Sequence, residues 1–306
     1  MKHRNLVASV LARLKNVAKA RNVIFGEILL RYAVECILRR IGKSAYSSQC
    51  ILKGGALLLV WGDGSSYRPT MDADLELRGD GSPDALADMF LKIAEMPGEE
   101  EDGIHIGKKD IKAVLIRDDD EYGGVRVTMT AFLGKVRIPV QFDVGIGDAI
   151  TPPPKKADFP VLLDGSTPRI KVYPKETVIA EKFETIVKRG LANSRMKDYY
   201  DLWMLSRDGT VDANMTSRAI ERTFRRRKTD LPNHVPDGLL DEFAKNEVKI
   251  VQWNAFVRKN RISLADCDFL SIVRDVREFL MGLVFIDAAK LPSYGRSGGA
   301  RGKTGI

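Results

Sequence analysis

The stretch Cys50-Ile-Leu-Lys-Gly-Gly-Ala-Leu-Leu-Leu-Val-Trp61, followed by Arg68-Pro-Thr-Met-Asp-Ala-Asp-Leu-Glu-Leu77, decides the reading of this chain. The first part reads as a short buried strand, a Gly-Gly turn and an apolar helix. The second alternates polar and apolar residues as a strand does. Within it Asp72 and Asp74 lie two apart, so both carboxylates leave the same face, roughly 6–7 Å apart along the chain. Such a pair can converge on one or two divalent ions, and oxygen-only ligation favours Mg²⁺ or Mn²⁺ over zinc. A third acid, Asp143, stands among apolar neighbours in Ile138-Pro-Val-Gln-Phe-Asp-Val-Gly-Ile146, and strand pairing can bring it beside the first two. Buried carboxylates in a cluster need a cation or a protonated member. The Gly54-Gly55 turn offers backbone N–H groups to a triphosphate, and Arg68 is a further phosphate contact. Alone, Asp-x-Asp fits a solvated strand edge and Gly-Gly fits a tight turn. The order of the parts gives them weight.

Working outward, residues 1–45 have helical period, with Leu6, Val10, Leu14 and Val17 on one face and Ile24, Ile28, Tyr32 and Cys36 continuing it. Arg13, Lys15, Lys19, Arg31, Arg39 and Arg40 are expected on the solvated side. Ser82–Met96 predicts a helix capped by Ser82 with Pro83 at its first position. Residues 99–102 read as a solvated acidic loop. Strands are expected at Ile111–Arg117, Gly124–Phe132 and Val136–Val144, and the Pro152-Pro-Pro154 tract marks a boundary. Beyond it, helices are predicted over Glu176–Arg189, Arg195–Ser206, Thr216–Lys228, Leu239–Val257 and Asp268–Leu283. The fold class is therefore α+β, a mixed sheet with flanking helices plus a helical C-terminal domain. Expected divisions are N-terminal helices at 1–47, a core at 48–152, helices at 153–290, and a disordered Gly/Ser/Arg tail at 291–306.

The 306 residues carry 49 Lys+Arg against 41 Asp+Glu, a net charge of +8. That surplus is uneven. Residues 1–45 hold 10 basic and 2 acidic side chains, residues 46–150 hold 11 and 19, and residues 151–306 hold 28 and 20. An acidic middle between basic flanks suits a block that binds cations beside surfaces that attract phosphate. The composition excludes a wholly disordered or collagen-like chain. Three scattered cysteines (Cys36, Cys50, Cys267) leave no zinc or redox motif and fit a reducing compartment. No apolar run is long enough for a membrane span, so the expected location is cytoplasmic. His3, His105 and His234 lack ligand spacing. Tyr199, Tyr200 and Trp203 are expected in the core, and the Arg222, Arg225–Lys228 cluster suits a helix C-terminus more than an RNA contact.

The order of strand, Gly-Gly, helix, Arg-x-Thr-x-Asp-x-Asp and a later strand with one Asp resembles the nucleotidyltransferase fold shared with DNA polymerase β. Pro174-Lys-Glu-Thr-Val-Ile-Ala-Glu-Lys182, Arg189 and Arg195-Met-Lys-Asp198-Tyr-Tyr-Asp201-Leu202 narrow the resemblance to the AbiEii/AbiGii toxin family. These are nucleotidyltransferases of type IV toxin–antitoxin and abortive-infection systems, a phage-defence setting, and the resemblance covers about residues 5–205. Lys182 and Arg189, two helical turns apart, share a face, as do Asp198 and Asp201. If their helices pair, Lys182 can meet Asp198. The resemblance implies that Asp72, Asp74 and Asp143 hold Mg²⁺ or Mn²⁺, with Asp143 also a candidate base. It implies that Gly54, Gly55, Arg68, Lys182 and Arg189 grip an NTP, and that Asp198 orients Lys182 or assists proton transfer. It further implies an RNA acceptor such as the tRNA 3′ end and a cognate antitoxin encoded nearby. Transfer to a protein or a small molecule, or an inactive nucleotide-binding module, are the alternatives.

Overall fold

A computed structural model describes residues 2–62, 73–98, 102–116, 124–262 and 268–285. Arg68, Asp72, Cys267 and the segment 291–306 lie outside the described residues. The N-terminal helical region forms two helices, α1 (Lys2–Ala20) and α2 (Phe25–Lys43). The end of α2 departs from expectation, because Arg39 and Arg40 are buried rather than solvated. Asp102, expected on an open acidic loop, is the reason. Arg39 pairs with Asp102 at 3.3 Å and with Glu35 at 3.1 Å, and Arg40 reaches Asp102 at 3.2 Å. Charges are tolerated in such a site only when each has its counter-charge.

Among the described residues, eight strands form one mixed sheet: β1 (Cys50–Lys53), β2 (Ala73–Leu77), β3 (Ile104–Ile106), β4 (Lys112–Leu115), β5 (Val125–Leu133), β6 (Val136–Ile146), β7 (Lys155–Asp158) and β8 (Arg169–Val172). Their spatial order is β3-β5-β6-β2-β1-β8-β7, with β4 also on β5. A 3₁₀ turn at Gly54–Ala56 leads from β1 into the short helix α3 (Leu57–Trp61). β8 runs parallel to β1, so chain beyond the Pro152–Pro154 tract completes the sheet, and the expected division after residue 152 falls inside it.

The strict alternation of β5 buries Val125, Val127, Met129, Ala131 and Leu133 on one face. Helix α4 (Pro83–Ala94), capped by Ser82 as predicted, covers that face, where Phe90 meets Phe142 with ring centroids 5.3 Å apart. Asp143, the next residue, consequently points to the opposite face.

The C-terminal part is helical: α5 (Lys175–Arg189), α6 (Met196–Ser206), α7 (Ala213–Arg226), α8 (Asp241–Lys245), α9 (Glu247–Asn260) and α10 (Phe269–Phe285). The single helix expected over Leu239–Val257 is divided at Asn246. Its backbone is extended and its side chain accepts the Val248 N–H at 3.0 Å, a cap that starts a new helix. Phe183 of α5 packs on Phe224 of α7 at 5.3 Å, and Tyr199 of α6 stacks on Phe243 of α8 at 5.5 Å. Tyr199 and Tyr200 are buried as expected, and Trp203 is half-buried. No helix among the described residues is long and apolar enough to cross a membrane.

Candidate active site

Strand register places Lys53, Asp74, Asp143 and Arg126 in one row across β1, β2, β6 and β5. Asp74 and Asp143 are direct neighbours on parallel strands, so their carboxylates open onto the same cleft. This cleft, about 390 Å³, is lined by Gly54, Gly55, Asp74, Asp143, Lys182, Arg189 and Asp198, all of them residues the sequence singled out.

The fit of these parts is tight. Gly54 has φ +69°, a left-handed conformation, and a Cβ built there would sit 1.8 Å from Oδ2 of Asp74. The turn thus needs glycine for its backbone and for the carboxylate seated against it. Gly54→Ala is expected to cost about 1–3 kcal/mol. It should also reduce any catalysis in the cleft at least ~100-fold by displacing Asp74, an effect of the size that small misplacements produce. Melting curves beside an activity assay check it, and a variant as active as the parent would show that Asp74 tolerates displacement.

Asp143 has a partner that the sequence did not reveal. Arg126 Nε and Nη2 each donate to one of its oxygens at 2.9 Å, and Gln141 adds a contact at 3.2 Å. The Arg126 side chain is 42% exposed, so it can give way to a cation at small desolvation cost. Two oxygen donors in adjacent register at the mouth of a cleft fit a hard divalent ion. Among the described residues no group of three metal-ligating side chains occurs. Asp72, the third expected ligand, lies outside them.

The facing wall comes from α5 and α6. Pro174 precedes α5, Gly190 at φ +46° ends it, and Val178, Ile179, Phe183 and Ile186 bury its apolar side. Lys182 leans to α6, where its Nζ lies 2.5 Å from Asp198 and 2.8 Å from Asp201. Arg195 Nε holds the other Asp198 oxygen at 2.8 Å. Burial works against the charged form of Asp198, but Lys182 and Arg195 carry its carboxyl down to about 2. Desolvation and the nearby charge of Lys182 hold the Lys197 ammonium below its usual range. With Lys188 and Arg189 also on this wall, cations are crowded opposite the two strand carboxylates. Polyphosphate would relieve that crowding.

Part of the cleft lining is a charged network that ties the sheet to the helices. Lys53 donates to Glu76 at 3.2 Å and to Asp148 at 2.9 Å, and the Asp148 N–H donates to Glu76 at 2.7 Å. Arg227, just past α7, reaches Asp148 at 3.3 Å, Glu181 at 3.6 Å and Glu184 at 2.9 Å. Arg226 Nε donates to the Gly147 carbonyl at 2.7 Å. Two members of the basic cluster that ends α7 therefore act as internal ties. The alternation of Asp72, Asp74 and Glu76 on one strand face could have flagged Glu76. Lys53, Asp148 and Arg227 carried no such signal, because their contacts span 23 to 95 positions.

Four carboxylates share two cations here, so one of them is pressed toward its neutral form. Burial, with repulsion from Asp148 and Glu76, pushes the Glu181 carboxyl up to about 7, against the pull of Lys53 and Arg227. Asp148, although also buried, is held low by Lys53 and Arg227. A carboxyl that binds its proton more tightly when folded contributes less as pH rises from its unfolded value near 4.5 to about 7. Stability should accordingly fall by on the order of 2 kcal/mol across that window. Glu181→Gln should flatten this fall and be the more stable protein at pH 8. Urea melts of both proteins at pH 5 and pH 8 test this, and an unchanged pH difference in the variant would contradict it.

A family model described as nucleotidyl transferase AbiEii toxin, type IV TA system, matches residues 36–280. No curated protein matches the chain. Among solved structures, JHP933 from Helicobacter pylori is 12% identical over 86% of this chain and 94% of its own, with a TM-score of 0.49. A candidate nucleotidyltransferase from H. pylori is 12% identical over 87% of this chain and 97% of its own, with a TM-score of 0.48.

Proposed function

The chain belongs to the AbiEii nucleotidyl transferase toxin family of type IV toxin–antitoxin systems, and on that premise we propose a specific reaction for it. It transfers a nucleoside monophosphate from an NTP to the 3′ end of a tRNA acceptor in the cytoplasm, releasing pyrophosphate, and an antitoxin encoded nearby counters the effect. The observation that carries this reading is the Asp74–Asp143 pair facing the cationic wall of α5 and α6 across one cleft.

Asp74 and Asp143, with Asp72, would hold Mg²⁺ or Mn²⁺, which neutralises phosphate charge and supports in-line displacement at the α-phosphorus. Gly54 and Gly55 line the cleft where backbone N–H groups can meet phosphate oxygens. Lys182 and Arg189 bind the triphosphate, joined by Arg68. Asp198 positions the Lys182 ammonium. The acceptor hydroxyl oxygen forms a bond to the α-phosphorus while the bond to the pyrophosphate oxygen breaks. Asp143, oriented by Arg126, receives the hydroxyl proton.

Incubation with each α-labelled NTP, Mg²⁺, total tRNA and cell lysate tests the proposal. Label on tRNA is the expected result. Label on protein would move the acceptor to a side-chain hydroxyl, and label on neither would remove the reaction.

A further inference from the structure

The face of the sheet that presents Asp143 continues past the cleft. Strand register sets Thr128 opposite Gln141, then Thr130 opposite Pro139, then Phe132 opposite Arg137, with His105 on the other side of Phe132. All of these are half-exposed or exposed, whereas Val127, Met129 and Ala131 between them are buried on the opposite face. From Asp143 to Arg137 is six residues of β6, about 20 Å.

A polar outer face is the default for an antiparallel sheet in water, and two features set this one apart. It is continuous with the cleft, because Gln141 donates to Asp143 at 3.2 Å. At its far end it carries an aromatic ring flanked by flat groups. The Arg137 guanidinium lies 5.8 Å from the Phe132 centroid, and the His105 ring lies 6.2 Å from it. Lys112, Arg126 and Arg137 lie along its rows, with Asp110 beside Thr128 and Thr130 and with Asp74 and Asp143 at the cleft end. Basic side chains spaced along a polar face with a stacking platform at one end suit single-stranded nucleic acid.

We propose that this face is the acceptor track, on which the single-stranded end of an RNA lies with its terminal hydroxyl at Asp143 and an upstream base stacked at Phe132, His105 and Arg137. The inference rests on the RNA-acceptor reading above and adds the surface that receives it. Thr128 and Gln141 line the middle of the track, where hydroxyl and amide groups can meet sugar and phosphate oxygens. The track leaves Lys182 and the nucleotide wall untouched, so acceptor and NTP binding are separable.

The test measures transfer from α-labelled NTP to total tRNA in the full chain carrying Phe132→Ala, Phe132→Leu or Arg137→Gln. Phe132→Leu keeps an apolar side chain and removes the stacking surface, which guards against a folding defect in Phe132→Ala. The KM for tRNA should rise about tenfold or more in both Phe132 variants, the scale of one lost base stack. Arg137→Gln should lower the slope of log KM against log salt by about 0.7, one released counterion contact. The KM for NTP should not change. If the parent protein labels tRNA and these variants match it in tRNA KM and salt slope, the track is overturned while the RNA reading stands. If the parent labels protein and no RNA, both fall.

Discussion

Asp74→Asn should abolish nucleotidyl transfer, with a loss of at least ~1,000-fold, equivalent to about 4 kcal/mol of transition-state stabilisation. Asparagine keeps the size of the side chain and its place against Gly54, so the fold is expected to survive. What disappears is a negative charge at the centre of a row where Lys53 lies on one side and Asp143 on the other. Asp143 alone compensates poorly, since Arg126 and Gln141 must first leave the lone-pair sites they occupy on it. Asp74 is therefore the strand carboxylate better placed for a cation. A melting temperature within a few degrees of the parent, together with lost transfer, is the expected pair of observations. Retained transfer at a tenth of the parental rate or better would place the chemistry elsewhere.

The second large effect falls on Lys182. Its ammonium lies between Asp198 and Asp201, which are 2% and 3% exposed, and Arg195 also pairs with Asp198 at close range. Lys182→Met leaves two buried carboxylates short of charge. Removing one partner of such a site costs about 3–5 kcal/mol. The loss should grow with pH. With Lys182 gone, Asp198 can no longer be held near 2, so its ionised form becomes the costly one and the variant should recover stability below about pH 5. Adding Asp201→Asn restores the charge balance and should return much of the stability. Transfer should remain at least ~100-fold down in the double variant, because the cation proposed for the triphosphate is still missing. A double variant that recovers both stability and transfer would make Lys182 a structural ion pair and nothing more. Urea melts at pH 5 and pH 8, run beside the transfer assay, separate the two roles.

Much of this centre was legible because its elements are local. Strand, glycine turn and carboxylate strand lie within residues 50–77, and each is announced by residue type and period. Asp143 was legible because an acid amid Val140, Phe142 and Val144 is conspicuous. Lys182 and Asp198 were legible because two helices joined by a short turn place one opposite the other. The sheet edges were not. β7 is Lys155-Lys-Ala-Asp158, a polar strand with exposed ends, and β3 is only three residues long. β8 alternates, but nothing local says that it pairs with β1 more than a hundred positions earlier. The inward turn of Arg39, Arg40 and Arg227 failed for the same reason. A basic residue near a helix end favours solvent or the helix dipole until a distant carboxylate claims it, as Asp102 does for the first two and Glu184 and Asp148 for the third.

The charged network of the cleft gives the two halves of the centre a fixed relation. Lys53 belongs to the sheet and Asp148 to the chain just past β6, Glu181 and Glu184 belong to α5, and Arg227 joins them. Arg227 therefore sets how far Lys182 stands from Asp74. That distance decides whether the proposed metal-ligating and phosphate-binding groups can act on one NTP.

The most direct test of the carboxylate row is Mn²⁺ binding in the presence of a non-hydrolysable NTP, read from the electron paramagnetic resonance signal of free Mn²⁺. The parent protein should bind Mn²⁺ under these conditions. Asp74→Asn and Asp143→Asn should each weaken that binding at least tenfold, while Lys188→Ala on the opposite wall should not. Equal Mn²⁺ affinity in the parent and both aspartate variants would contradict the assignment of this row as the cation site.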